Sequence, residues 1–171
     1  TFAPIAEDLL AGLDAGELGG YTYDEYKDFG ASLYFDGDMT ATVENNYFER
    51  SNITFGGTAA AEITVSNNVF EGVKCWNNDP NYTYSSIGYT TWDNPPITDI
   101  SGAGLDIQKN QFIDAGKVNF SKVTAGQVDL SANYWEDMDL TQAIVGGEND
   151  AVQVSTIYTD KEMTQLLEVS V

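Results

Sequence analysis

The sequence predicts an all-β fold in which the chain winds through stacked copies of one short unit, as in a solenoid. Three observations favour it: an alternating pattern recurs four times, each copy carries an asparagine and an aromatic residue at fixed offsets, and the copies share a spacing close to 22 residues. The asparagines are separated by 22, 42 and 23 residues, so the middle interval contains a long insertion. The four copies are residues 41–48, 63–70, 105–112 and 128–135.

Apolar and polar residues alternate within each copy with the two-residue period of a β-strand. In the second copy Ile63 and Val65 lie on one face and Thr64 on the other, and Asp106 and Asp129 take the place of Thr64 in the third and fourth copies. Four unrelated strands of a sandwich are the alternative. Sandwiches have turns about every 8 to 12 residues but no shared register of this length, so the solenoid is favoured.

Each strand is followed by an asparagine and, two residues later, by a large aromatic residue. Asparagine tolerates the left-handed backbone of a sharp corner, and stacked asparagines can form a ladder of side-chain amides. The aromatic residues predict a buried column beside that ladder. A further inward series comprises Ile53, Cys75, Val118 and Leu140, in which the single cysteine is a small buried hydrophobe. The two columns are Asn46, Asn68, Asn110 and Asn133, and Phe48, Phe70, Phe112 and Trp135.

Over roughly residues 30 to 142, this unit resembles the coil of right-handed parallel β-helices of the pectate-lyase-like superfamily. The last copy also resembles the closing end of β-helix domains in bacterial surface proteins, which usually reads Asn-Tyr-Trp-Gly; here Glu136 replaces the glycine. Enzymes of that superfamily cleave acidic polysaccharides with carboxylates plus Arg, Lys or His. This chain has no histidine, and Arg50 is its sole arginine, so the resemblance implies the fold and a non-catalytic surface-protein type.

The domain organisation predicted is one β-helix domain over residues 1–171, part of a larger protein. Residues 1–20 are predicted to form an N-terminal capping helix, since apolar residues recur there at helical spacing before a pair of glycines. A linker helix is the alternative. Coils occupy 21–142, with a loop excursion at 77–103 that holds three of the four prolines, and 143–171 form a C-terminal cap with a helix from Asp160 to Leu167.

The charge balance limits the partners. Seven basic residues against 27 acidic ones give a net charge of -20, which excludes nucleic acid and disfavours anionic membranes and polyanionic sugars. Solubility explains the same charge without any partner. No segment approaches ~18 consecutive apolar residues, so no membrane insertion is expected. The composition, with one cysteine and abundant polar residues, indicates an extracellular or cell-surface protein of a bacterium.

The loop excursion supplies the predicted ligand-binding residues, because aromatic rings crowd there beside carboxylates. Flat aromatic faces stack on pyranose rings while polar groups bind the sugar hydroxyls. The alternative is that these rings pack back on the domain as a satellite core. The residues are Tyr82, Tyr84, Tyr89, Trp92, Asp79 and Asp93, and the expected partners are a polysaccharide or a cell-surface protein.

Asp106 and Asp129 are the predicted metal-binding residues. If the third and fourth copies stack directly, the two aspartates lie one strand spacing apart, ~4.8 Å. The repulsion between such carboxylates can be relieved by a bound cation, so calcium is the one candidate cofactor. Two solvated surface side chains are the alternative, and no catalytic residue is predicted.

The function predicted is therefore an extracellular, non-catalytic surface module of the adhesin type, which binds glycan through the aromatic loop. A polysaccharide-degrading enzyme, either a lyase or a glycoside hydrolase, or a fragment of one, is the first alternative. A structural spacer within a larger surface protein is the second. Fold alone does not separate these three, since one fold hosts many functions.

Overall fold

The computed structural model of the chain describes residues 32–35, 37–56, 61–73, 85–89, 98–115, 117–121, 123–136, 139–146 and 151–169. In these ranges strands dominate, and the only helix is the four-residue α1 (Leu140–Ala143). The all-β prediction is confirmed. The N-terminal helix predicted at 1–20 lies outside the described residues, as does Cys75.

Most described strands belong to three sheets. Sheet I contains β2 (Thr40–Glu44), β5 (Glu62–Ser66), β9 (Gly104–Gln108), β13 (Val128–Asp129) and β16 (Val152–Gln153). Sheet II contains β3 (Tyr47–Glu49), β6 (Val69–Glu71), β10 (Gln111–Ile113), β14 (Asn133–Trp135), β17 (Thr156–Tyr158) and β18 (Leu166–Glu168). Sheet III contains β1 (Ser32–Phe35), β4 (Asn52–Phe55), β7 (Ser85–Tyr89), β11 (Lys117–Asn119) and β15 (Ile144–Val145). A small fourth sheet pairs β8 (Thr98–Asp99) with β12 (Val123–Ala125).

The copies pair in parallel and in the register that the repeat predicts. Thr42 of β2 lies opposite Thr64 of β5, and Thr64 lies opposite Asp106 of β9. The chain passes from sheet I to sheet II and then to sheet III before it returns to sheet I, so each copy lies beside the preceding one. These parallel sheets fit the predicted parallel β-helix.

The asparagine column is confirmed as a hydrogen-bonded ladder. The main-chain N–H groups of Asn46, Asn68 and Asn110 each donate to the side-chain oxygen of the asparagine in the next copy, at 2.9, 3.1 and 2.9 Å. The side-chain amide of Asn68 also donates to the Val43 carbonyl at 2.8 Å. Asn68, Asn110 and Asn133 are buried, so the ladder satisfies polar groups that water cannot reach.

The aromatic column is confirmed as well. Phe48, Phe70 and Phe112 are fully buried, and neighbouring rings stack with centroids 4.7 Å apart for the first pair and 5.3 Å for the second. Trp135 continues the column, 4.3 Å from Phe112. Large rings in one column fill the interior between the sheets, and their burial is a main source of stability.

The corner geometry differs from the prediction by one residue. The left-handed backbone belongs to the residue before each ladder asparagine, which is Asn45, Asn67, Lys109 or Ala132 in the successive copies. The ladder asparagine itself is held by its side-chain bonds. Asparagine therefore serves both roles in the first two copies, whereas lysine and alanine occupy the corner in the other two.

The further inward series predicted from the sequence is confirmed at two of its positions, Ile53 and Val118. Ile53 pairs with Ile87 and Val118 with Ile144 in sheet III, and Ile53, Ile87 and Val118 are fully buried. Ile87 therefore occupies the second position of the series, for which the sequence predicted Cys75. Leu140 is half-buried in α1, and Ile144 takes its place in the sheet.

The loop excursion predicted at 77–103 contains two strands, so its interpretation as a simple loop is wrong there. Strand β7 lies in the middle of sheet III, where it pairs with β4 on one side and β11 on the other. Gly88 permits the close approach of β7 to β11, because a Cβ at position 88 would lie 2.4 Å from the Asn119 carbonyl oxygen. Strand β8 pairs with β12 outside the three main sheets.

The helix predicted from Asp160 to Leu167 is also wrong. Strand β18 runs antiparallel to β17, and Leu166 and Leu167 are 56% and 51% exposed instead of packed inward. The Asp160 carboxylate accepts hydrogen bonds from the main-chain N–H groups of Thr164 and Gln165, which closes the turn of a β-hairpin. Strands β15, β16 and β17 extend sheets III, I and II into the predicted C-terminal cap, and β18 then adds to sheet II.

The described part of the chain contains no helix with the length and apolar character needed to cross a membrane.

Candidate functional site

The outer face of sheet I carries a polar column that runs across all five strands. Its members are paired in register, so their side chains leave the sheet one above another. Threonines occupy the first two positions and aspartates the next two. The column is Thr42, Thr64, Asp106, Asp129 and Gln153.

A depression of about 480 Å³ lies on this face, across β2, β5 and β9. We name it the sheet I groove. Its outward-facing residues offer hydroxyl and carboxylate groups, and the alternate residues of the same strands form its floor. The lining residues are Thr40, Thr42, Glu62, Thr64, Gly104 and Asp106, with Ala41, Ile63 and Leu105 beneath them.

Gly104 opens the groove because it adds no side chain to the outer face. Its neighbour on β5 is Glu62, whose carboxylate extends over the glycine. A Cβ at position 104 would lie 2.1 Å from Glu62 Oε2, so any side chain there would displace the carboxylate. The backbone of Gly104 is not left-handed, so the contact with Glu62, not conformational strain, is what a side chain would disturb.

The groove is electronegative. Its described lining contains two carboxylates and no basic residue, and neither Glu62 nor Asp106 forms an ion pair with another described residue. Asp106 Oδ1 accepts a hydrogen bond from the side-chain amide of Gln108 at 2.5 Å, which orients it. A ligand with N–H or O–H donors matches this lining, whereas an anionic ligand would be repelled.

The predicted metal residues Asp106 and Asp129 are brought together, since they are direct partners between β9 and β13. Each carboxylate has a local donor, because Asp129 Oδ1 accepts from the Ser131 main-chain N–H at 2.8 Å and Asp106 accepts from Gln108. Calcium takes about 6 to 8 oxygen ligands. Among the described residues, no three acidic, histidine or cysteine side chains converge, so calcium binding stays a prediction that needs other ligands.

The predicted sugar-binding residues lie mostly outside the described part of the chain. These are Tyr82, Tyr84, Trp92, Asp79 and Asp93. Tyr89 is the last residue of β7, so its backbone belongs to sheet III, and its side chain is not described. The aromatic site therefore stays a prediction.

A second polar cluster, on the outer face of sheet II, was missed from the sequence. Glu49 and Glu71 are partners between β3 and β6, the Tyr47 hydroxyl donates to Glu71 at 2.5 Å, and Arg50 forms an ion pair with Glu49 at 3.1 Å. The hydrogen bond to Glu71 is the main cause that raises the pKa of Tyr47 to about 12. The repeated Phe-Glu pair at 48–49 and 70–71 was the available signal.

No protein family, curated protein sequence or solved structure that was compared matches this chain. The site therefore has to be interpreted from its own geometry and chemistry.

Proposed function

We propose that the chain is a right-handed parallel β-helix of the pectate-lyase-like type, and that it acts as a non-catalytic carbohydrate-binding module. The sheet I groove carries this proposal. It combines threonine hydroxyls with two carboxylates on neighbouring strands, the polar groups with which proteins bind sugar hydroxyls.

The stacked arrangement suits an extended polymer. Equivalent side chains in adjacent copies are spaced at ~4.8 Å along the stack, so a polysaccharide that crosses the strands meets the same kinds of group repeatedly. The buried asparagine and aromatic columns fix the strands beneath this face. Binding to such a surface requires little ordering of the protein, which favours affinity.

The aromatic residues predicted within 77–103, which we call the aromatic segment, are the second sugar-binding region in this proposal. Rings at Tyr82, Tyr84, Tyr89 and Trp92 would stack on sugar faces, and Asp79 and Asp93 would bind hydroxyls. We place the protein outside the cell or at the surface of a bacterium, as an adhesin-type module of a larger protein, on the grounds of its composition and its net charge of -20.

A glycan array tests this function. The parent protein is compared with a Thr64→Val, Asp106→Asn variant of the groove and a Tyr89→Ala, Trp92→Ala variant of the aromatic segment. Loss of glycan binding in the groove variant, with unchanged circular dichroism, supports the proposal. A folded parent that binds no glycan would favour the structural spacer instead.

One observation favours a second candidate, hydrolysis of a polysaccharide. Glu49 and Glu71 are adjacent in register on an outer face, as a pair of catalytic carboxylates would be, and Arg50 and Tyr47 hold them. Incubation of the protein with neutral polysaccharides, followed by measurement of new reducing ends, tests this candidate. Turnover that is lost in a Glu71→Gln variant would establish it, and no turnover would leave the cluster as a structural network.

A further inference from the structure

We infer that the carbohydrate bound by the sheet I groove carries free amino groups, as oligomers of glucosamine do. This inference rests on the proposed carbohydrate-binding function, and it specifies the chemical class of the ligand. The distribution of charge within the groove carries it.

A protonated amine is the sugar substituent that complements the lining best. Such an ammonium group has three N–H donors and a positive charge. Glu62 and Asp106 present acceptor oxygens, and no basic residue is among the described residues that line the groove. An N-acetylated sugar has a neutral amide with one donor in the same place. It would gain no charge interaction from the two carboxylates.

The spacing of the two carboxylates allows one oligomer to contact both. Glu62 lies directly beside Gly104, and Asp106 is two residues further along the same strand, β9. The strand spacing and the rise per residue place the two Cα atoms about 8 Å apart across the diagonal. Thr64, the direct partner of Asp106, offers a hydroxyl at the same level of the groove.

Gly104 has a specific role in this site. Because position 104 lacks a side chain, the Glu62 carboxylate can lie over the sheet at the base of the groove. In a Gly104→Ala variant the added methyl group displaces that flexible carboxylate and fills part of the depression. The variant should fold, since the conflicting atoms are the end of a mobile side chain.

The test is calorimetric titration of the full chain with a glucosamine trimer and, separately, with an N-acetylglucosamine trimer, in low salt at mildly acidic pH. The glucosamine trimer should bind at least about tenfold more tightly. The Glu62→Gln and Asp106→Asn variants should each weaken its binding about fivefold. Gly104→Ala should also weaken it, and added salt should reduce the difference between the trimers.

The matched control is a Glu162→Gln variant, which removes one exposed carboxylate from the C-terminal hairpin and so changes the net charge by as much as Glu62→Gln or Asp106→Asn does. Its affinity should equal that of the parent. Equal affinity for both trimers would overturn the amino-sugar inference and leave the carbohydrate-binding function standing. A glucosamine affinity that falls equally in control and groove variants would show attraction to overall charge only. No binding of either trimer, together with an empty glycan array, would overturn both proposals.

Discussion

Replacement of Asn110 by alanine should be among the most damaging polar substitutions in this protein. Asn110 lies in the interior of the asparagine ladder and is 0% exposed. Its side-chain oxygen accepts the Asn68 main-chain N–H at 3.1 Å, and its amide donates to the Val65 carbonyl at 2.8 Å. Alanine can form neither hydrogen bond. The Asn68 N–H and the Val65 carbonyl are buried, so solvent does not replace the lost side-chain partners.

The magnitude follows from the groups that lose a partner. The Asn68 N–H and the Val65 carbonyl each lose a hydrogen bond in a buried setting, which costs about 1 to 3 kcal/mol per group. The expected loss in the free energy of unfolding is therefore about 2 to 6 kcal/mol. Asn46 provides a matched control at the end of the ladder. It is half-buried and its amide donates to the nearby Glu44 carbonyl, so Asn46→Ala should cost about 1 kcal/mol or less.

Urea unfolding followed by circular dichroism measures both values. An unchanged m-value in the two variants would show that the same cooperative transition is compared. If Asn110→Ala costs no more than Asn46→Ala, the ladder does not contribute in the way described, and the reasoning fails.

Three further predictions concern other parts of the molecule. Trp135→Phe should cost at most about 1 kcal/mol, since it removes a buried indole N–H that has no acceptor among the described residues. Phe70→Ala should cost about 3 to 5 kcal/mol, and equal losses in urea unfolding would contradict this. The pKa of Tyr47 is about 12, above its ordinary value of 10.0, so the folded protein holds the phenolic proton more tightly than the unfolded chain does. The stability that this shift contributes is complete below about pH 10 and is lost as the pH rises toward 12. Absorbance titration should show this tyrosine shifting back toward its ordinary pKa in Glu71→Gln. If Asp106 and Asp129 bind calcium, millimolar calcium should raise the melting temperature of the parent protein, and Asp129→Asn should remove most of that increase. An unchanged melting temperature in the parent would indicate two solvated carboxylates.

The repeated features of the fold could be predicted because equivalent positions in several copies carry the same type of residue. Asn68 and Phe70 recur with equivalents at the same offset, and the structure places both in buried columns. The corner was assigned one residue too late. Asn45 and Asn67 carry the usual signal for left-handed backbone, but Lys109 and Ala132 do not, so comparison of the copies pointed to the invariant asparagine instead.

The features that occur once could not be predicted in the same way. Strand β7 contains one aliphatic residue, Ile87, whose side chain is buried. The place of this strand in the stack is set by its pairing with strands that are distant in the sequence. The segment after Asp160 has apolar residues at helical spacing, yet Leu166 and Leu167 belong to an edge strand whose partner, β17, decides its structure. Short apolar runs are compatible with either period.

The candidate site shows the same division. The pairing of Asp106 with Asp129 follows from the repeat and is found in the structure. The sheet I groove depends on Gly104 lying beside Glu62, which only the register across the insertion between the second and third copies could reveal.

A crystal structure of the chain tests the central claim most directly, because that claim is the stacking of the four copies in one register. We expect Asn46, Asn68, Asn110 and Asn133 in a single hydrogen-bonded column, with Glu62 beside Gly104 on the outer face of sheet I. Asparagine side chains scattered over different faces, or Glu62 paired with another residue, would contradict the fold and the groove together.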